Sequence, residues 1–249
     1  MRIGIAGITG RMGRLLAEEV TAAGAELAGG TSRDGSGGFT DVAALAGVSD
    51  VVIDFTNAAL AQGHAKVLAD LGKPWVLGTS GLSDADEAAV AAAAKRIPVV
   101  YAANFASGVN LVLALAERMA AALPAAEYDA EIVEMHHRQK VDAPSGTAIG
   151  MGRAVAKGRG QVLADVMESG RHGHTGVRKP GAIGFAALRG GQVVGEHSLI
   201  FAAGAEHIVL THRAFDRRAF ASGAVRAALW VQGRPAGLYS MMDVLGMSA

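Results

Sequence analysis

Cysteine is missing from all 249 residues. Disulfides, thiolate zinc sites and cysteine nucleophiles are therefore excluded, and a reducing cytoplasm becomes the natural expectation. Net charge is missing too: 23 Lys and Arg balance 23 Asp and Glu. A general nucleic-acid or anionic-membrane binder would normally carry a basic excess, so no partner of either kind is expected. The amino terminus, Met-Arg-Ile-Gly-Ile-Ala-Gly, reaches its glycines too early for the apolar core of a signal peptide. An uncharged run from Ile97 to Ala116 is long enough to raise the membrane question. Pro98, Asn104, Ser107, Gly108 and Asn110 interrupt it, which predicts a strand, a loop and then a buried helix.

The chain is long enough for one large domain or two modest ones. Its first hundred residues alternate apolar runs with alanine-rich helical stretches. Strands are predicted at Arg2–Gly7, Glu26–Gly30, Asp50–Phe55, Trp75–Gly78 and Pro98–Tyr101, with helices at Arg11–Ala23, Ala58–Leu71 and Asp84–Lys95. This rhythm implies a doubly wound parallel sheet of the Rossmann type, α/β in class. It breaks after Asn104. Helices at Val109–Leu123 and Thr147–Lys157, a strand at Asp129–Met135 and strand-like runs at Ala182–Leu188, Gln192–Phe201 and His207–Arg213 indicate an α+β unit. The expected boundaries are 1–107 for the α/β unit and 108–216 for the α+β unit. Glu168–Gly181 reads as a Gly- and His-rich loop without regular period, His172–Gly176 within it as a flexible loop over the second domain, Ala219–Leu229 as a helix and Gly237–Val244 as an apolar tail.

Two segments carry chemistry. Gly7, Gly10 and Gly13 lie in a turn between the first strand and the first helix. Glycine lets the backbone approach a pyrophosphate, and a helix N-terminus offers it unpaired N–H groups and a positive dipole end. After the second strand, Thr31-Ser32-Arg33-Asp34 bears on the choice of nicotinamide cofactor. Arg33, with Arg11, suits the 2′-phosphate of NADPH, whereas Asp34 keeps NADH open. The second segment, Glu134–Thr147, gathers His136, His137, Arg138, Lys140 and the turn Ser145-Gly146-Thr147. Imidazole suits a general acid near neutrality, and cations and hydroxyls anchor carboxylates. His172 and His174 add to the histidines a metal would need, but no HExxH or similar spacing is present, and no metal is expected. Glu196-His197 and His207 fall in strand patterns and read as structural.

These motifs resemble the dihydrodipicolinate reductase family over nearly the whole chain. The likeness runs through Gly7-Ile-Thr-Gly-Arg-Met-Gly13, Asp54-Phe-Thr56, Gly78-Thr-Ser-Gly81, Ala102-Ala-Asn-Phe105 and Glu134–Thr147. It continues in Gly173-His-Thr-Gly176, Ile183-Gly-Phe185, Gly195-Glu-His197 and Ala224–Trp230. The resemblance implies NAD(P)H-dependent reduction of 4-hydroxy-tetrahydrodipicolinate in the diaminopimelate route to lysine. It places Gly7, Ile8, Thr9, Gly10, Arg11 and Met12 around the cofactor diphosphate. Gly78, Thr79, Ser80, Ala102, Ala103, Asn104 and Phe105 fall on the nicotinamide side. His136 is implied as proton donor or acceptor and Lys140 as a second donor and carboxylate contact. His137, Ser145, Gly146 and Thr147 are implied to hold the dicarboxylate. The resemblance further implies a dinucleotide-binding domain of 1–107 with 217–249, to which the carboxyl-terminal helix returns, and a substrate-binding and tetramerisation domain of 108–216. With these come a homotetramer joined through the sheets of the second domains and two domains that close on ligand. Relatives often carry Glu-Arg where this chain has Ser32-Arg33, which shifts the expectation toward NADPH. The turn usually written GTTG is Gly78-Thr-Ser-Gly81 here, and Asn104–Val109 varies the usual NFSVGV.

Overall fold

The computed structural model describes residues 1–248. The chain divides into two compact units, Met1–Ser107 with the stretch from Arg217 onward, and Gly108–Asp216.

The first unit is a seven-stranded sheet. Its strands are β1 (Arg2–Ala6), β2 (Glu26–Thr31), β3 (Gly38–Phe39), β4 (Val51–Asp54), β5 (Trp75–Leu77), β6 (Pro98–Tyr101) and β12 (Gly237–Tyr239), in the order β12-β6-β5-β4-β1-β2-β3. All neighbours pair in parallel. Parallel strands covered on both faces need apolar side chains throughout, and Val51, Val52 and Ile53 are wholly buried. One face packs against α1 (Arg11–Ala22) and α8 (Arg218–Val231). There Leu16 and Val20 meet Ile3, Ile5 and Val100, together with Ala224, Ala227 and Ala228. The other face carries α2 (Val42–Val48), α3 (Ala61–Asp70) and α4 (Asp84–Ala94), with Leu45, Leu68 and Val90 against Val52, Trp75 and Val99. The carboxyl-terminal helix thus returns to the first unit. Gly223 permits that return, because a Cβ there would collide with the Phe105 carbonyl oxygen.

Strand order reverses between β1 and β4: β2 and β3 extend the sheet one way, β5, β6 and β12 the other. Ligands of open parallel sheets gather at the carboxyl ends beside such a reversal.

The second unit has a mixed sheet of β7 (Asp129–His136), β8 (Met167–Ser169), β9 (Ile183–Arg189), β10 (Gly195–Ala202) and β11 (His207–Ala214), ordered β11-β10-β7-β9-β8. β10 runs antiparallel to β7 and β11, while β9 runs parallel to β7 and β8. Burial alternates residue by residue along β7 and β10, as expected of a sheet covered on one face. Ala130, Ile132, Leu199 and Phe201 face α5 (Ser107–Ala122) and α6 (Gly146–Gly158) through Val112, Ala116, Met151 and Val155. The uncharged run from Ile97 resolves into β6, a loop and α5. Among the described residues no helix is long and apolar enough to cross a membrane.

Three readings change. The interval between β2 and β4 holds α2, whose start is capped by Asp41 accepting from the Ala44 N–H at 2.8 Å. The apolar tail is β12 followed by a short helix, α9 (Met241–Val244), closed by a capping box between Ser240 and Asp243. The loop after Met167 opens with β8 and is anchored on both flanks of His172–Gly176. Arg171 makes a bidentate pair with Glu131 at 2.9 Å, and Arg178 reaches Asp129, Glu131 and the carbonyls of Ala130 and Ala182. A short helix, α7 (Leu163–Val166), precedes it.

Candidate functional site

In the first unit the expected nucleotide residues all follow strand ends. Gly7 to Met12 form the turn after β1 and the start of α1. Gly7 adopts φ +77°, which a side chain would strain. A Cβ on Gly13 would collide with the Gly7 carbonyl and the Ile8 backbone. The glycines thus let helix and strand meet closely. The turn is braced from β2, since Gly7 N–H donates to Thr31 Oγ1 at 3.0 Å and Ile8 N–H to the Thr31 carbonyl at 3.1 Å. No side chain caps α1 and its first turn holds no acidic residue, a combination that suits a helix start to an anion.

Beyond β4, buried Asp54 accepts from the Thr56 N–H (3.0 Å) and hydroxyl (2.6 Å), and lies 2.7 Å from His64 Nδ1. That network sets Phe55 and Thr56. A Cβ on Gly78, which follows β5, would run into the Phe55 ring. Phe55 in turn meets Phe105 with ring centroids 5.5 Å apart. Thr79 is buried with its hydroxyl unpartnered, while Ser80 and Ala103 are exposed. Asn104 Oδ1 accepts from the Ala106 N–H at 2.9 Å. Next to β2, Arg33 and Arg11 are exposed, whereas Asp34 closes a turn with Ser36. Hydrogen bonds from the Ser36 hydroxyl and N–H hold the Asp34 carboxyl down to about 2.

In the second unit one buried carboxylate organises the histidine segment. Glu134 Oε2 lies 2.6 Å from His136 Nδ1, and Oε1 accepts the Ser145 N–H at 3.0 Å. Arg189 donates to both oxygens at 2.8 Å. Burial would raise this carboxyl, but the bonds from Arg189, His136 and Ser145 outweigh it and hold Glu134 below the ordinary carboxylate range. Ser145 caps α6, its Oγ accepting from the Ala148 N–H at 3.2 Å. The same hydroxyl sits 2.8 Å from His197 Nε2. The His197 ring meets His136 edge-on, centroids 5.0 Å apart. Burial, reinforced by the neighbouring His136, pushes His197 down to about 4, so it is neutral near pH 7. Lys140 Nζ lies 2.8 Å from Asp142 Oδ1, and that contact lowers the Asp142 carboxyl. His137 is half-buried with Nδ1 unpartnered, Gly146 is exposed and Thr147 half-buried at the start of α6.

His136 and Ser145 thus meet around Glu134, with Lys140 on the intervening loop. His197, read from sequence as structural, belongs to this cluster. The signal was its inward phase in β10, shared with Leu199 and Phe201. Glu134 shows the same inward phase in β7, shared with Ala130 and Ile132, whereas Arg189 carried no comparable signal.

A nucleotide-type sheet joined to a unit bearing an imidazole, an ammonium and an anion-ready turn defines an oxidoreductase. Comparison with known proteins narrows the class. The amino-terminal family model of dihydrodipicolinate reductase matches residues 1–105 and the carboxyl-terminal model residues 108–245. A 4-hydroxy-tetrahydrodipicolinate reductase from Granulibacter bethesdensis is 69% identical over 255 residues, covering 99% of this chain and 97% of its own. One from Acidiphilium cryptum is 66% identical over 247 residues, covering 99% and 98%. Among solved structures, a dipicolinate-bound dihydrodipicolinate reductase from Paenisporosarcina sp. TG-14 shares the fold with a TM-score of 0.79 at 24% identity, covering 98% of each chain. The chain belongs to the dihydrodipicolinate reductase family.

The state of His197 has a consequence for stability. An unfolded histidine protonates near 6.5, whereas this one stays neutral in the fold until about 4. Below pH 6.5 the unfolded chain takes up a proton that the folded chain refuses. Stability should therefore fall as pH drops from 6.5 to 4, by up to roughly 3 kcal/mol from this group, and level off below. In His197→Gln the melting temperature should lose less between pH 7 and 4.5 than in the wild type. Parallel losses in the two proteins would contradict this.

Proposed function

We propose that this chain reduces 4-hydroxy-tetrahydrodipicolinate to tetrahydrodipicolinate, with release of water and oxidation of NAD(P)H. The first unit binds the nucleotide and the second the cyclic dicarboxylate. When bound, the reduced nicotinamide supplies a hydride. Everything else is the work of side chains. The observation that carries this reading is the joining of His136 and Ser145 through one buried carboxylate. It couples an imidazole able to give a proton to a helix start able to hold an anion.

In this reading Gly7, Ile8, Thr9, Gly10, Arg11 and Met12 seat the diphosphate. Gly78, Thr79, Ser80, Ala102, Ala103, Asn104 and Phe105 line the nicotinamide side. The unpartnered Thr79 hydroxyl supports that assignment, since a buried hydroxyl without a partner costs stability until a ligand supplies one. His136 gives the proton required as the ring accepts the hydride. Lys140, His137, Ser145, Gly146 and Thr147 hold the two carboxylates. Lys140 first exchanges Asp142 for a substrate carboxylate. Exposed Arg33 and Arg11 suit a 2′-phosphate, while Asp34 is already engaged by Ser36; NADPH is the favoured cofactor and NADH the second.

The uncovered face of the second sheet supports self-association, as a homotetramer. Val209 and Leu188 are half-exposed there, opposite Ile200 and Met135 respectively. Cytoplasmic residence fits the biosynthetic role and the absence of cysteine.

His136→Ala and Lys140→Ala should each lower turnover by roughly two to four orders of magnitude, measured by NADPH absorbance with freshly condensed pyruvate and aspartate semialdehyde. Near-normal turnover in either variant removes the assigned role. Arg33→Ala should raise the Michaelis constant for NADPH far more than that for NADH, and equal effects would exclude it as the phosphate contact.

A further inference from the structure

The proton-giving imidazole does not stand alone. Its Nδ1 is 2.6 Å from a side chain whose own side-chain surface is fully buried, Glu134. That carboxyl is held ionised, so it can only accept, and the proton on Nδ1 must be the imidazole's. The remaining acceptor capacity of Glu134 is taken by Arg189 and the Ser145 N–H. The ring is fixed from other sides as well. His197 abuts it edge-on, and Gly195 leaves room for Nε2, which would lie 3.1 Å from any Cβ placed there.

We infer that Glu134 is a positioning residue for the reduction: it keeps one proton on His136 Nδ1, so that Nε2 is the nitrogen that takes a proton from solvent and passes it to the substrate. The inference rests on the reading of His136 as the acid given above. It adds a residue that touches no substrate and acts through another. The same logic holds wherever a buried carboxylate orients a catalytic imidazole: the pair fixes ring angle and tautomer together.

The arrangement also answers an electrostatic problem. A bare carboxylate beside the site would repel a dianionic substrate. The bidentate Arg189 guanidinium cancels that charge while leaving the hydrogen bond to Nδ1 intact. The second oxygen holds the Ser145 N–H, and so the first residue of the turn that receives the carboxylates. One group therefore sets both the direction of proton transfer and the register of the anion seat. A substitution that inverts the tautomer will strike turnover first and dicarboxylate affinity second.

The test combines a spectrum with kinetics. In ¹⁵N-histidine-labelled wild type at pH 8.5, with His136→Gln used for assignment, His136 should show a protonated Nδ1 and an unprotonated Nε2. In Glu134→Gln the amide can donate to Nδ1; the tautomer should invert, and kcat should fall by roughly two to four orders of magnitude. The Michaelis constant for the dicarboxylate should rise a few-fold and that for NADPH should not move, which a general loss of structure would not produce. Glu134→Asp should keep the wild-type tautomer and recover at least about a tenth of the turnover. An Nε2–H tautomer in the wild type, or Glu134→Gln with turnover within about threefold of it, overturns the inference. If Glu134→Gln fails to fold, the wild-type spectrum and Glu134→Asp still decide. A wild type that does not reduce the dicarboxylate refutes the proposed reaction but leaves the spectral result standing; an active Glu134→Gln refutes only the positioning role.

Discussion

A buried negative charge governs the second unit. Taking a carboxylate out of water costs several kcal/mol after relaxation, and Glu134 is 1% exposed. It stays ionised because a guanidinium, an imidazole N–H and a backbone N–H converge on it. Those donors come from three elements: His136 at the end of β7, Arg189 at the end of β9 and Ser145 at the cap of α6. Each must be in place before the charge is tolerated. Folding of this corner and assembly of the site are therefore one event, and a ligand meets a preorganised imidazole and helix start.

The first unit solves a different problem by different means. There the constraint is closeness of backbone. Gly7, Gly13 and Gly78 occupy positions where a side chain would demand a strained φ, hit a carbonyl or strike the Phe55 ring. Asp54, bonded to Thr56 and His64, fixes the backbone on either side of Phe55. At these positions the strand ends carry no side chain, the feature that lets a dinucleotide approach the backbone of such folds.

Much of this architecture was legible because its signals are local. Val51-Val52-Ile53 can only be a doubly covered strand, and the alternation in β7 and β10 marks a sheet with one open face. Helix α2 escaped because its seven residues hold alanine and glycine with little polar contrast, and α9 because four residues carry no period. The candidate site divides along the same line. His136, His137, Lys140 and Ser145 announce themselves within ten positions. Arg189 is 55 residues from Glu134, and His197 is 52 from Ser145. Only strand pairing brings them near: His136 sits opposite Arg189 on β9, and Glu134 opposite His197 on β10. Cross-strand register of that kind leaves no trace in local composition.

The most direct measurement is a crystal structure of this chain with pyridine-2,6-dicarboxylate and NADPH. The account predicts ligand carboxylates on Lys140 and the Ser145–Thr147 turn, Lys140 parted from Asp142, and Glu134 still bonded to His136, Ser145 and Arg189. A dicarboxylate bound away from that turn, or a Glu134 side chain swung out to solvent, would contradict it.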